Sequence, residues 1–247
     1  MRPLALIVTA ALFLGVATGA AAERRIEFSG YEWIVRRSAG AEGPGPNVFR
    51  DDEESVRVDE DGALRLAIRP RGRGWVSAEV ILDAPVGYGT YEFQIEADPT
   101  AFDPPVILGM FTYDESAPDE HYREIDIELG RFGDADAPTA QYVLQPPDAD
   151  GNRTRFDLNL DGTHSTHAFR WAPGVIDFAS SHGHQQDILD GGGAWGSQIA
   201  FWSIEGEHVP DPGNERLRIN LWLYEREAPS RPHEAVIRSF RFVPAPR

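Results

Sequence analysis

The chain has 247 residues and a formal net charge of −17, with 40 acidic residues against 23 basic ones, every one of the latter an arginine. So negative a surface repels nucleic acid and anionic lipid, which argues against both as partners, whereas a neutral polysaccharide meets no such penalty. There is no cysteine, so the fold must rest on its core, and a hydrophobic share of 41% over this length is enough for one substantial core.

In chain order, residues 1–22 read as a secretory signal peptide. Arg2 supplies the positive start, 4–16 an apolar run, and Ala20-Ala21-Ala22 a small-residue cleavage site before Glu23. The expectation is an exported protein, extracellular or periplasmic, in which 23–247 form a single domain. No Ser/Gly linker, repeat or low-complexity tract divides that stretch, and no later segment is long and apolar enough to suggest a membrane span. Short alternating or β-rich runs follow at 64–68, 76–82, 89–95, 106–113, 124–129, 140–145, 154–160, 167–171, 175–179, 217–222 and 235–243. Gly, Pro, Asn and Asp punctuate the gaps, as in Asp61-Gly62 and Asp150-Gly151-Asn152. The pattern predicts an all-β sandwich of jelly-roll type with at most one brief helix, and 180–208 as a long surface excursion.

Within these runs, Glu124-Ile125-Asp126-Ile127-Glu128 sets three acids at alternate positions. On a strand the carboxyls share one face while Ile125 and Ile127 enter the core. Acids in such a pattern are commonly just a solvated outer face. Gathered in a site, they raise one another's proton affinity, which suits chemistry that needs one ionised carboxylate and one protonated acid near neutral pH. Glycosidic-bond cleavage has that requirement. At about 3.3 Å per residue the Cα atoms of Glu124 and Glu128 stand about 13 Å apart, and inward-leaning side chains bring the carboxyls to about 5 or 6 Å. Retaining glycosidases hold their pair about 5 to 5.5 Å apart and inverting ones about 6.5 to 9.5 Å, so the spacing favours retention.

Together with Tyr88-Gly89-Thr90-Tyr91-Glu92-Phe93, Gly109-Met110-Phe111-Thr112-Tyr113, His167-Ala168-Phe169-Arg170-Trp171 and Arg218-Ile219-Asn220-Leu221-Trp222, this motif resembles glycoside hydrolase family 16. These are concanavalin-A-like jelly rolls that include lichenases, laminarinases and xyloglucan transglycosylases. The resemblance spans roughly 26–243 in order and spacing. It implies that Glu124 is the nucleophile, Glu128 the general acid and then base, and Asp126 the hydrogen-bonding partner that tunes them. No cofactor is required for that chemistry. The resemblance further points to Tyr91, Phe111, Trp171 and Trp222 as platforms on which sugar rings stack, and to Glu92 and Asn220 as hydroxyl partners. Ordinary core packing is the alternative for each aromatic. One branch of the family inserts a residue before the last Glu. This chain keeps the uninterrupted form, which leans toward β-1,4 or mixed β-1,3/1,4 linkages. Where lichenase-like members carry a tryptophan before the first Glu, this chain has His121-Tyr122-Arg123, so Tyr122 or His121 would grip that sugar. Val143 stands at another polar position of the family, with Gln145 close by to replace it.

Rival chemistries have less support. His182-Gly183-His184, with His164 and His167, has no clear third ligand at matching spacing and reads as a turn rather than a metal site. A structural calcium ion is compatible with so acidic a sandwich but has no placed ligands. There is no Gly-x-Ser-x-Gly elbow, and Gly191-Gly192-Gly193 neither follows a clear strand nor opens a helix. Two alternatives stand beside hydrolysis: a non-catalytic lectin-like module, since this fold also serves lectins although binding alone would not require both outer glutamates, and a transglycosylase using the same residues.

Overall fold

The computed structural model describes residues 22–246, so the signal-peptide reading, apart from Ala22, lies outside the described residues. Two antiparallel sheets face each other. The first has the spatial order β1 (Arg25–Phe28), β2 (Tyr31–Val35), β6 (Ala78–Leu82), β15 (Arg216–Leu223), β8 (Val106–Tyr113), β9 (Ile125–Leu129), β10 (Ala140–Leu144) and β11 (Arg153–Phe156). The second runs β14 (Gln198–Glu205), β13 (Val175–His182), β12 (His164–Ala172), β7 (Gly89–Glu96), β16 (His233–Pro244), β4 (Leu64–Arg71) and β3 (Val56–Val58), and β5 (Gly74–Val76) pairs with β4. This is the all-β jelly-roll sandwich. Helical structure in the described residues is confined to short 3₁₀ segments at Pro99–Ala101, Pro118–Arg123, Ile188–Asp190 and Tyr224–Arg226.

Period-two alternation builds the core. From the first sheet Leu108, Met110, Ile125, Ile127, Tyr142, Ile219 and Leu221 point inward, and from the second Phe93, Ile95, Phe169, Phe178 and Phe240 meet them, all fully or almost fully buried. The aromatic rings interlock: Tyr91 stacks on Phe169 with centroids 4.3 Å apart, and Phe93 lies 5.3 Å from Phe240. Burying each such side chain stabilises the fold by roughly 1.5 to 3 kcal/mol, which is how a chain without disulfides holds together.

The stretch 180–208 departs from expectation. Gln198–Glu205 forms β14 on the edge of the second sheet, paired with β13 through a register shift at Ser180/Ser181. That shift breaks the two-residue period, and Phe201 faces solvent, so the strand carries little alternation to be read. The intervening segment does lie on the surface. It covers the outer face of the second sheet, where Gln94 Nε2 donates to Gln185 O at 2.9 Å and Arg170 pairs with Asp190 at 2.6 Å.

A buried polar chain ties the sheets together. Ser165 Oγ lies 2.8 Å from His167 Nε2, His167 Nδ1 lies 2.7 Å from Ser180 Oγ, and Ser180 Oγ lies 2.6 Å from the Tyr142 hydroxyl on the opposite sheet. Burial pushes the His167 ring down to about 3, so it is neutral at physiological pH and its two nitrogens are taken by hydroxyls. Because the folded value lies below the ordinary 6.5, unfolding takes up a proton. This contribution to stability is complete above pH 6.5 and is lost as pH falls toward 3. His167→Gln removes the titration while keeping hydrogen-bonding capacity. Denaturant unfolding of the two proteins across about pH 6 to 4 should show the wild type losing up to about 1.4 kcal/mol per pH unit relative to the variant. A constant difference would contradict a neutral His167.

Candidate active site

β9 lies between β8 and β10 in unbroken register, with Gly109 and Gln141 opposite Glu128, and Phe111 and Val143 opposite Asp126. Ile125 and Ile127 are fully buried, so Glu124, Asp126 and Glu128 all emerge on the face turned away from the core. Extended across the sheet, the register gives one row of Glu79, Asn220, Gly109, Glu128, Gln141 and Arg155 and another of Arg218, Phe111, Asp126 and Val143. A cavity of about 360 Å³ opens over these rows, lined by the three acids with Phe111, Tyr113, Arg218, Asn220 and Trp222, and bordered by Arg36 and the 43–44 turn.

The carboxyls are crowded and partly dry. Glu124 and Glu128 are half-buried and Asp126 is buried. Desolvation is the main reason all three hold protons above the usual carboxylate range, and the Glu128 charge adds to it at Glu124, as both glutamate charges do at Asp126. The hydrogen-bonding contact between Asp126 and Glu124 lowers the proton affinity of Glu124 and raises that of Asp126. Arg218 favours the ionised form of Glu124. On the other side, Gln141 Nε2 donates to Glu128 Oε2 at 2.7 Å, with Arg155 Nε donating to Gln141 Oε1 at 3.0 Å, and both neighbours favour Glu128 as carboxylate. Gln145 Nε2 donates to Asp126 Oδ2 at 3.2 Å. The group therefore shares its protons as a coupled set around neutral pH.

A buried ionic cluster adjoins the acids. Glu79, fully buried, accepts from Arg36 Nη1 at 2.8 Å, Arg218 Nη1 at 3.1 Å and Asn220 Nδ2 at 3.3 Å. Arg36 also pairs with Glu42, and Arg218 with Glu115 at 2.7 Å. Both cleft arginines are thus neutralised within the protein. Asn220 Oδ1 is buried with no protein partner among the described residues, and it rests over Gly109, where a Cβ would lie 2.6 Å away. Arg218 sits 4.7 Å from the Tyr113 ring centre, and the Tyr122 ring stacks on Tyr113 at 4.8 Å and 10°.

No protein-family model and no curated protein matches this sequence. Solved structures do match. Bacillus licheniformis β-glucanase superposes with a TM-score of 0.64 at 19% identity, covering 86% of this chain and 92% of that one. A prokaryotic β-1,3-1,4-glucanase (lichenase) derived from a mouse hindgut metagenome gives 0.64 at 18%, covering 86% and 93%. An immunostimulatory antigen and pseudo β-1,3-glucanase of Mycobacterium tuberculosis gives 0.58 at 19%, covering 86% and 91%.

The fold is that of the β-glucanases. The resemblance to glycoside hydrolase family 16 therefore holds at the level of architecture.

On this glucanase fold, Glu124, Asp126, Glu128, Phe111, Asn220 and Trp222 come together around one cavity, and Tyr122 stands next to it through Tyr113. Trp222 is only 7% exposed, packed by Gly45 and Phe132, so little of its ring is open to the cleft. Tyr91, Glu92 and Trp171 are elsewhere. They lie on β7 and β12 of the second sheet, the wrong layer for the cleft. Tyr91 is in the core with its hydroxyl donating to Gly87 O at 2.6 Å, and the Trp171 indole N–H donates to Pro210 O at 2.9 Å. Glu92 points to the outer face, where it pairs with Arg241 at 3.0 Å and accepts from Ile188 N at 3.3 Å. Sequence reasoning missed Glu79, Arg36, Arg218 and Gln141. Two of these were within reach, since period two carries Asn220 to Arg218 and Gln145 to Gln141 on the same face.

Asp126 binds its proton more tightly when folded, which penalises the folded state above the unfolded value of 3.8 and not below it. Asp126→Asn keeps both hydrogen bonds without that penalty. The variant's Tm should exceed the wild type's at pH 8, by about 2–4 °C for each kcal/mol relieved, and converge with it toward pH 4. Equal values at pH 8 would contradict the raised proton affinity.

Proposed function

We propose that this protein is an exported, retaining endo-β-glycosidase that hydrolyses a neutral β-glucan. The observation that carries the reading is the acidic row on an unbroken strand facing a cleft of a glucanase fold. In the free site burial and the Glu128 charge push Glu124 up to about 8 and burial pushes Glu128 up to about 7, so the pair shares a proton. In the reactive form that proton sits on Glu128, and Glu124, which Arg218 favours as the carboxylate, attacks the anomeric carbon while Glu128 gives its proton to the departing glycosidic oxygen. Forming the ester removes the charge of Glu124. Repulsion on the neighbouring carboxyl falls with it, and the Gln141–Arg155 pair then favours Glu128 as the carboxylate that takes a proton from the incoming water. One proton thus shuttles through Glu128 and the anomeric configuration is retained.

The substrate class follows from charge. Because Arg36 and Arg218 are spent on Glu42, Glu79 and Glu115, both arginines that line the cavity are already paired, and the acidic trio repels a sulfate or a uronate. The β-glucanase names of the neighbouring structures support the same polymer class. A second reading, a glycan-binding module without turnover, draws on the neighbour named a pseudo β-1,3-glucanase.

Reducing-end release separates the two readings. Barley mixed-linkage glucan, laminarin or xyloglucan should be cleaved and carrageenan left intact, and Glu124→Gln and Glu128→Gln should each lose at least about 10³-fold in kcat. Binding of glucan by the wild type without any release would favour the second reading. The rate should also fall as pH rises past about 7, since burial pushes Glu128 up to about 7 and the coupled Glu124 up to about 8, and the proton they share is consumed in the first step. A profile already declining at pH 5 would contradict this assignment of the acid.

A further inference from the structure

The segment that leads into Glu124 runs through three consecutive residues in the left-handed region, His121, Tyr122 and Arg123, with φ of 47°, 59° and 51°. None of them is a glycine or an asparagine, and Tyr122 and Arg123 are residue types that rarely adopt that conformation. Its support comes from outside the segment. Arg123 Nη1 is 2.8 Å from Asp114 Oδ2, and Arg123 Nε donates to Asp211 O at 3.0 Å. Asp114 is buried, and the same Oδ2 accepts from Asn214 N at 3.1 Å. The guanidinium lies against Gly213, where a Cβ would stand 2.8 Å from Cζ and Nε, so the seat exists because residue 213 has no side chain. The strap closes through backbone bonds from Asp114 N to Tyr122 O at 2.7 Å and from Tyr122 N to Ala117 O at 2.9 Å. Thr112 Oγ1 donates to Arg123 O at 2.7 Å and accepts from Ile125 N at 3.1 Å, gripping the chain on both sides of Glu124.

We propose that Arg123 is a positioning residue for Glu124. By locking the strap to Asp114 and to 211–214, it sets the angle at which Glu124 enters the cleft and keeps Tyr122 flat on Tyr113. The proposal rests on the hydrolase reading for its kinetic consequence, but the clamp itself has a readout independent of turnover. Arg123 does not line the cavity, so its loss should act on the step Glu124 performs more than on binding.

The test uses Arg123→Ala, Arg123→Lys and Gly213→Ala, the last of which displaces the guanidinium without altering it. Hydrogen exchange of the 113–124 amides is followed beside kcat and KM on whichever glucan the wild type cleaves. Arg123→Ala and Gly213→Ala should exchange at the Asp114, Tyr122 and Glu124 amides at least tenfold faster than wild type, with kcat down tenfold or more and KM within about threefold. Arg123→Lys, which can reach Asp114 but cannot also bridge to Asp211, should fall between. Gly213→Ala serves where Arg123→Ala does not fold. Unchanged exchange, or released amides with wild-type kcat, would overturn the positioning role alone. A wild type that cleaves no glucan would overturn the hydrolase reading and the kinetic role together, whatever the exchange shows.

Discussion

Everything at the cleft depends on the two-residue period of β9. A slip of one residue would turn three carboxyls into the core and two isoleucines out to water, so the register is specified by the large difference between those two arrangements. Ile125 and Ile127, each contributing roughly 1.5 to 3 kcal/mol of burial, hold the backbone down while the like-charged side chains between them are forced to share a face. The crowding that raises their proton affinities is thus maintained by apolar packing rather than by any attraction among the acids.

Around that row the two outer glutamates have different supports. Glu124 has Asp126 as a hydrogen-bonding neighbour and a cation in Arg218, and its backbone is fixed on both sides by Thr112. Glu128 has a neutral amide, Gln141, with Arg155 behind it. Each outer glutamate thus has one arginine that favours its ionised form, set against the burial that favours its proton. Glu79 supports this arrangement by occupying both cleft arginines, so the cavity offers hydrogen-bonding groups without an unpaired positive charge.

Much of this was legible in the sequence, for physical reasons. The run predicted at 106–113 coincides with Val106–Tyr113, and the acidic row was visible because alternating charge and isoleucine admits few readings other than a strand with one dry face. What failed was the assignment of layers. Tyr91 and Trp171 sit in runs as rich in aromatics as the cleft strands, and periodicity gives the faces of a strand without saying which sheet it joins. Glu92 follows from the same error, being on the outer face of the second sheet. The buried charges were hidden for the opposite reason. Glu79 stands in Ala78–Leu82, an otherwise apolar strand, and its meaning appears only with Arg36, Arg218 and Asn220 arrayed around it from distant parts of the chain.

The most direct test of the account is the configuration of the sugar at the moment of release. Proton NMR of the anomeric region during the first minutes of glucan cleavage should show the β-anomer appearing first and mutarotating afterwards, as a covalent intermediate on Glu124 resolved by water through Glu128 requires. First appearance of the α-anomer would mean a single inverting displacement and would contradict the roles given to this pair of carboxyls.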